Sequence, residues 1–239
     1  MIEILLMGLL LGMRHAMESD HVAAVASLVT KSPSLRESIR MGSVWGLGHT
    51  LTLFTLGSLV MLLDQLIPDR TALTLEFIVG IMLVLLGIDV IRRFMRENMH
   101  IHPHRHADGT LHMHVHAHAH DGLQAHTHAS HDHAHAGRFP VRALLVGMMH
   151  GMAGSAALIV LTLQTVHSFG LGMLYIALFG MGSILGMAVL STAIMLPLRH
   201  SATRYASLHQ YLLLAIGTST VLLGSSMMYR IGSGGGLLG

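Results

Sequence analysis

Apolar residues run along this chain in long blocks rather than in the narrow stripes of a soluble helix, and a few clusters of charge cut the blocks apart. Because about 20 apolar residues in a helix cross a hydrocarbon core, the blocks predict six spans, over residues 2–30, 41–63, 72–92, 141–165, 168–196 and 207–229. The first block is unlike the rest. In LLMGLLLGMRHAMESDHVAAVASLV, five ionisable residues (Arg14, His15, Glu18, Asp20 and His21) stand where a spanning helix is ordinarily apolar throughout. The AVAS stretch at 24–27 imitates a signal-peptide cleavage site, but the first residues carry Glu3 and no basic group, so the block is read as a retained span.

Composition agrees with a protein that lives in a lipid bilayer: 52% of residues are hydrophobic and 11% charged. The absence of cysteine excludes disulfides, iron–sulfur clusters and thiolate metal sites. A pI near 9.4 does not indicate nucleic acid as a partner, because the basic residues lie between the spans and report on topology. Lys31, Arg36, Arg40, Arg92, Arg93, Arg96, Arg105, Arg138, Arg142, Arg199 and Arg204 fall on one side, against Arg70 and Arg230 on the other. The bias toward the cytoplasm predicts an inner-membrane, multi-pass protein with both termini outside and the long third connection inside.

The two halves echo each other. LLLGMRHAM at 9–17 is matched by LLVGMMHGM at 144–152, WGLGH at 45–49 by FGMGS at 179–183, and GIMLVLLG at 80–87 by GTSTVLLG at 217–224. Three spans per half put the second half in the membrane upside down relative to the first, which predicts an all-α 3+3 inverted-topology repeat with a site near the bilayer midplane. The expected organisation is a first repeat over 1–94, a disordered cytoplasmic His-rich loop over 95–139, a second repeat over 140–230 and a flexible tail over 231–239.

Each charge held at the centre of a bilayer costs about 2.5–3.5 kcal/mol on insertion scales, so residues that incur it are candidates for function. Arg14 and Glu18 are four apart and could neutralise each other on one helical face. His15, Asp20 and His21 are not covered by that pairing. On an unbroken helix His15 and His21 would lie about 9 Å apart along the axis and about 120° around it, too dispersed for one small cation. A shared site therefore requires the first helix to break, as helices do in inverted-repeat transporters. His49, in GLGHTLTL, is the nearest further imidazole, and His150 and Ser155, in HGMAGSAAL, hold the corresponding place in the second half. Imidazole and carboxylate without thiolate suit nickel, cobalt, zinc or copper(II).

RHAMESDH at 14–21 resembles the H-x4-D-H signature of the nickel/cobalt transporter family, and LGHT at 47–50 is similar to that family's second motif. The chain resembles the shorter, six-span members found with urease genes. The resemblance implies that His15, Asp20 and His21 select a Ni2+ or Co2+ substrate and that His49 supports them; Arg14, Glu18, His150 and Ser155 are candidate supporting residues on the reading of the sequence itself. Two departures bear on metal preference: Ala26 and Ser27 follow the signature where many members carry Asp-Asn, and the second half reads HGMAGSAAL in place of an acidic motif.

Fourteen of the 21 histidines crowd between Arg93 and Pro140, among them His112, His114, His116, His118 and His120. Alternation over such a tract reads as many weak metal sites on an unfolded chain, a reservoir or else a spacer. The 19 methionines, several beside the motif and its echo, offer a copper(I) path as an alternative to ordinary packing. The leading expectation is uptake of the ion by a permease that is not an enzyme. Efflux, a membrane scaffold that delivers metal to a maturing enzyme or a cytoplasmic metallochaperone, and a histidine-box di-iron enzyme are the rivals. The last is disfavoured because the intramembrane histidines are few and the loop histidines form no boxes.

Overall fold

A computed structural model describes the backbone of residues 2–32, 34–63, 68–105, 111–117, 140–165 and 168–233, with side chains except at 2–5, 97–105, 111–117, 154–165 and 206. The elements in chain order are α1 (Ile2–His15), α2 (Ser19–Val29), α3 (Leu35–Leu63), α4 (Asp69–Asn98), β1 (Met99–Arg105), β2 (Leu111–Ala117), α5 (Val141–Thr165), α6 (Phe169–Arg204) and α7 (Ala206–Ser233). Among the described residues, four helices are long and apolar enough to cross a membrane: Leu35–Leu63, Asp69–Arg96, Phe169–Arg204 and Ser207–Ser233. Their outward faces carry Leu51, Leu62, Leu85, Val189 and Leu222. A bundle apolar outside as well as inside is suited to solvation by lipid.

The first apolar block folds as two helices, α1 and α2. No glycine or proline makes the break. The N–H of Met17 donates to the carbonyl of Arg14 (2.9 Å) and that of Glu18 to His15 (3.0 Å), i→i−3 bonds that tighten and close α1. Glu18 is extended (φ −63°, ψ 149°), and α2 restarts after it with Asp20 in its first turn, where a carboxylate complements the free N–H groups. Four other helices outrun the predicted spans, α7 among them to Ser233. α3 begins at Leu35, α4 continues to Asn98 and α6 to Arg204. Their extensions hold Arg, Glu and other helix-forming polar residues, so hydropathy falls off before the helix does.

Packing is set by glycines that let backbones meet. α1 lies against α6 in parallel: a Cβ on Gly12 would overlap the Phe179 carbonyl, and one on Gly182 the carbonyl of Leu9. α3 lies against α5 in the same manner, with Gly147 facing the Trp45 carbonyl and Gly48 that of Leu144. α3 also packs antiparallel on α6 (Gly42 on Ser191, Gly180 on Thr50), and α4 antiparallel on α7 (Gly80 on Gly224, Gly87 on Gly217). The short α2 is held in the middle, with His21 and residues 24–29 buried.

At one end of the bundle the Asp89 carboxylate joins Lys31 (2.6 Å) and Arg142 (3.1 Å), while Arg93 donates to Thr30 (2.7 Å). Basic residues from two connections, the first (Lys31) and the two sides of the long third (Arg93 and Arg142), thus meet at one face.

Part of the expected unfolded loop pairs as an antiparallel hairpin, β1 with β2, placing His100 opposite His116, His102 opposite His114 and His104 opposite His112. Alternation suits a strand as well as an extended coil, which is why it did not distinguish them. Residues 106–110 and 118–139, including His118 and His120, lie outside the described residues, as do 234–239 of the expected tail.

Candidate metal centre

The centre forms where α1 ends and α2 begins. With the helix broken after His15, the His15 and His21 rings approach to 4.4 Å between centroids, a closeness the continuous helix forbids. His49, from the middle of α3, stands 5.2 Å from each. Donor atoms of these three imidazoles lie within 4.8 Å of one another. His150, from α5, is 4.4 Å from His21, and the donors of Asp20, His21 and His150 form a second group within the same limit.

Asp20 organises the far side. Its Oδ2 is 2.8 Å from His150 Nε2 and its Oδ1 is 3.1 Å from His21 Nδ1, so one carboxylate holds two rings. His21, His49 and His150 are each no more than 1% exposed. Even so, His21 Nε2, His150 Nδ1 and both nitrogens of His49 are buried without a hydrogen-bond partner. Buried polar atoms are nearly always paired, and a ligating histidine is ordinarily oriented by a carboxylate on its other nitrogen. His21 and His150 have that form, each with an orienting bond to Asp20 on one nitrogen and a free nitrogen on the other.

Trp45, one turn before His49, completes the wall. Its indole is fully buried. It lies 6.0 Å from His49 at 20°, 5.3 Å from His21 and 5.4 Å from His150, both edge-on. Being uncharged, Trp45 gives no ionisable signal in the sequence. Its place in WGLGH, one turn from His49, was the available signal.

Other expected positions divide. Glu18 engages His15 Nδ1 (2.9 Å) rather than Arg14, which is exposed, because leaving the helix at residue 16 destroys the i,i+4 relation on which the neutral pair depended. We expect Glu18→Gln to weaken metal affinity a few-fold, Glu18 being 57% exposed and the contact partly screened, and Arg14→Gln to leave it unchanged; calorimetric titration of both variants checks this. Met17, offered for a copper(I) path, is 60% exposed, and Met149 packs into the apolar core. The side chain of Ser155 and those of His112, His114 and His116 lie outside the described residues.

Comparison with known proteins adds two relatives. The chain is 36% identical over 237 residues to the urease accessory protein UreH of Bacillus sp. (strain TB-90), covering 99% of this chain and 95% of that one. It is 26% identical over 189 residues to a protein of Methanocaldococcus jannaschii that carries the name of a nickel/cobalt efflux system, covering 75% of this chain and 72% of the other. No protein-family model matches. No solved structure matches.

Proposed function

The chain belongs to the nickel/cobalt transporter family and resembles its urease-associated members, and on that premise we propose that it moves Ni2+ or Co2+ across the membrane through the His/Asp centre at the break between α1 and α2. The observation that carries this reading is the set of unpartnered, buried imidazole nitrogens gathered around one carboxylate. In this reading His15, His21 and His49 supply nitrogen donors, Asp20 offsets part of the ion's charge and fixes His21 and His150, and Glu18 steadies His15. Breaking the helix is what permits it, since freed backbone and converging side chains are tolerated at membrane depth only where they line such a site.

The six-span, 3+3 inverted repeat is the architecture we propose around it. Two paired contacts support it: Gly12 on Phe179 corresponds to Gly147 on Trp45, and Gly182 on Leu9 to Gly48 on Leu144, each exchanging residues that the sequence echo equates. The meeting of Lys31, Arg93 and Arg142 at one face supports a cytoplasmic end there, with both termini outside an inner membrane. The His-rich segment, including His112, His114, His116, His118 and His120, then serves as a cytoplasmic reservoir that can pass metal to a chaperone.

Uptake is favoured by the nearly full-length likeness to a protein named as accessory to an enzyme, urease, rather than as an exporter. Efflux is the second reading, favoured by the name of the archaeal relative. Purified protein in metal-free vesicles tests the permease: saturable entry of radioactive nickel is expected. Tight binding without entry would instead support a delivery scaffold, and neither binding nor entry would remove the metal reading. Accumulation in cells then reports direction.

A further inference from the structure

The centre contains more ligand groups than one ion of ordinary bond length can gather. Around a first-row divalent ion with bonds of about 2.1 Å, donor atoms lie within about 4 Å of each other. The donors here fall into two compact groups, His15/His21/His49 and Asp20/His21/His150, rather than one. Their outer members are apart: the His49 and His150 rings are 6.5 Å from centroid to centroid, whereas each is closer to His21. The elements that supply them also differ. The first group joins α1, α2 and α3, while the second joins α2 and α5, and each has one ligand at the open break, His15 (13% exposed) in the first and Asp20 (25% exposed) in the second, with His21, His49 and His150 buried.

We propose that the ion occupies two overlapping stations in turn, one made by His15, His21 and His49 and the other by Asp20, His21 and His150, with His21 common to both. The inference rests on the transport reading above and deepens it. A permease must bind its ion firmly enough to select it and loosely enough to release it, and adjoining sites reconcile the two. With the ion at the first station, Asp20 is free to orient His21 and His150. As the ion moves, His15 and His49 let go, Asp20 and His150 take their places, and His21 changes its ligating atom from Nε2 to the Nδ1 that faces Asp20. No electron is transferred; the His21 and His150 nitrogens that donate to Asp20 give up their protons to water as the ion arrives and the opposite nitrogen of each ring takes one up, so the net proton count is unchanged.

Trp45, the single tryptophan, lies beside both stations and gives a reading confined to the centre in the full chain. Co2+ is the probe, its paramagnetism quenching the indole, with radioactive nickel flux in vesicles measured in parallel. His21→Gln removes a ligand from both stations and should abolish quenching. His150→Gln, which keeps a neutral donor toward Asp20, should retain quenching with an affinity within a few-fold of the original, yet lose at least tenfold in flux. His49→Gln, which removes a ligand from the first station alone, should retain quenching at an affinity lowered well beyond that of His150→Gln. A His150→Gln chain that transports at the original rate, or one that loses quenching as completely as His21→Gln, overturns the two stations. If His150→Gln fails gel filtration, His150→Asn takes its place under the same criteria. Failure of the unsubstituted chain to quench or transport would overturn the transport reading itself, an outcome separate from these.

Discussion

Asp20→Asn abolishes tight nickel binding while the protein remains inserted and folded: this is the expected result of the most informative single change at the centre. Asparagine matches aspartate in size and keeps a carbonyl oxygen for one ring, so the packing of α2 is preserved. It removes the negative charge that offsets the ion. It also cannot accept bonds at both of its polar ends, so the bond to His21 Nδ1 at 3.1 Å or that to His150 Nε2 at 2.8 Å loses its acceptor. Loss of an orienting partner alone costs about 10–100-fold in metal affinity, and loss of the charge adds to it. Calorimetry on protein lacking residues 100–135 isolates the effect from the histidine tract. A substituted chain that binds as tightly as the original would make Asp20 structural.

The second large effect is expected away from any ligand. Gly147→Val should prevent recovery of folded protein or lower its melting transition steeply, because the new carbons would enter the space of the Trp45 carbonyl. Overpacking against yielding side chains costs about 1–3 kcal/mol. Backbone cannot yield without moving α3 away from α5, which would separate His49 and Trp45 from His150. Gly232→Ala is the control, since nothing lies within 4 Å of the added carbon, and should be neutral. Thermal unfolding in detergent compares the two. Equal transitions would mean that the α3–α5 approach is not set by this glycine.

Much of this was legible in the sequence, for identifiable reasons. Length and apolarity located α3 to α7 because a bilayer demands both, and the cost of charge in lipid singled out residues 14–21 before any geometry was known. The expected break at the motif followed from the angular separation of His15 and His21, and the chain does leave the helix between them. What was not legible depends on contacts distant along the chain. Pairing Arg14 with Glu18 assumed a helix that the break had already removed. His150 could be named from the repeat, but its bond to Asp20 spans 130 residues and arises only when α5 packs against α3. Trp45 carries no charge and stands out only once three imidazoles surround it. Asp89, joining Lys31 to Arg142, likewise has no local signature.

A divalent ion held inside the membrane at the break between α1 and α2 would scatter X-rays anomalously from that place. An anomalous difference map recorded at the nickel absorption edge, from crystals of the full chain grown with nickel, tests it most directly. The predicted result is a peak about 2 Å from imidazole nitrogens of His15, His21 and His49, or of His21 and His150 with Asp20. Peaks confined to the histidines between residues 100 and 135, with none beside His21, would contradict it.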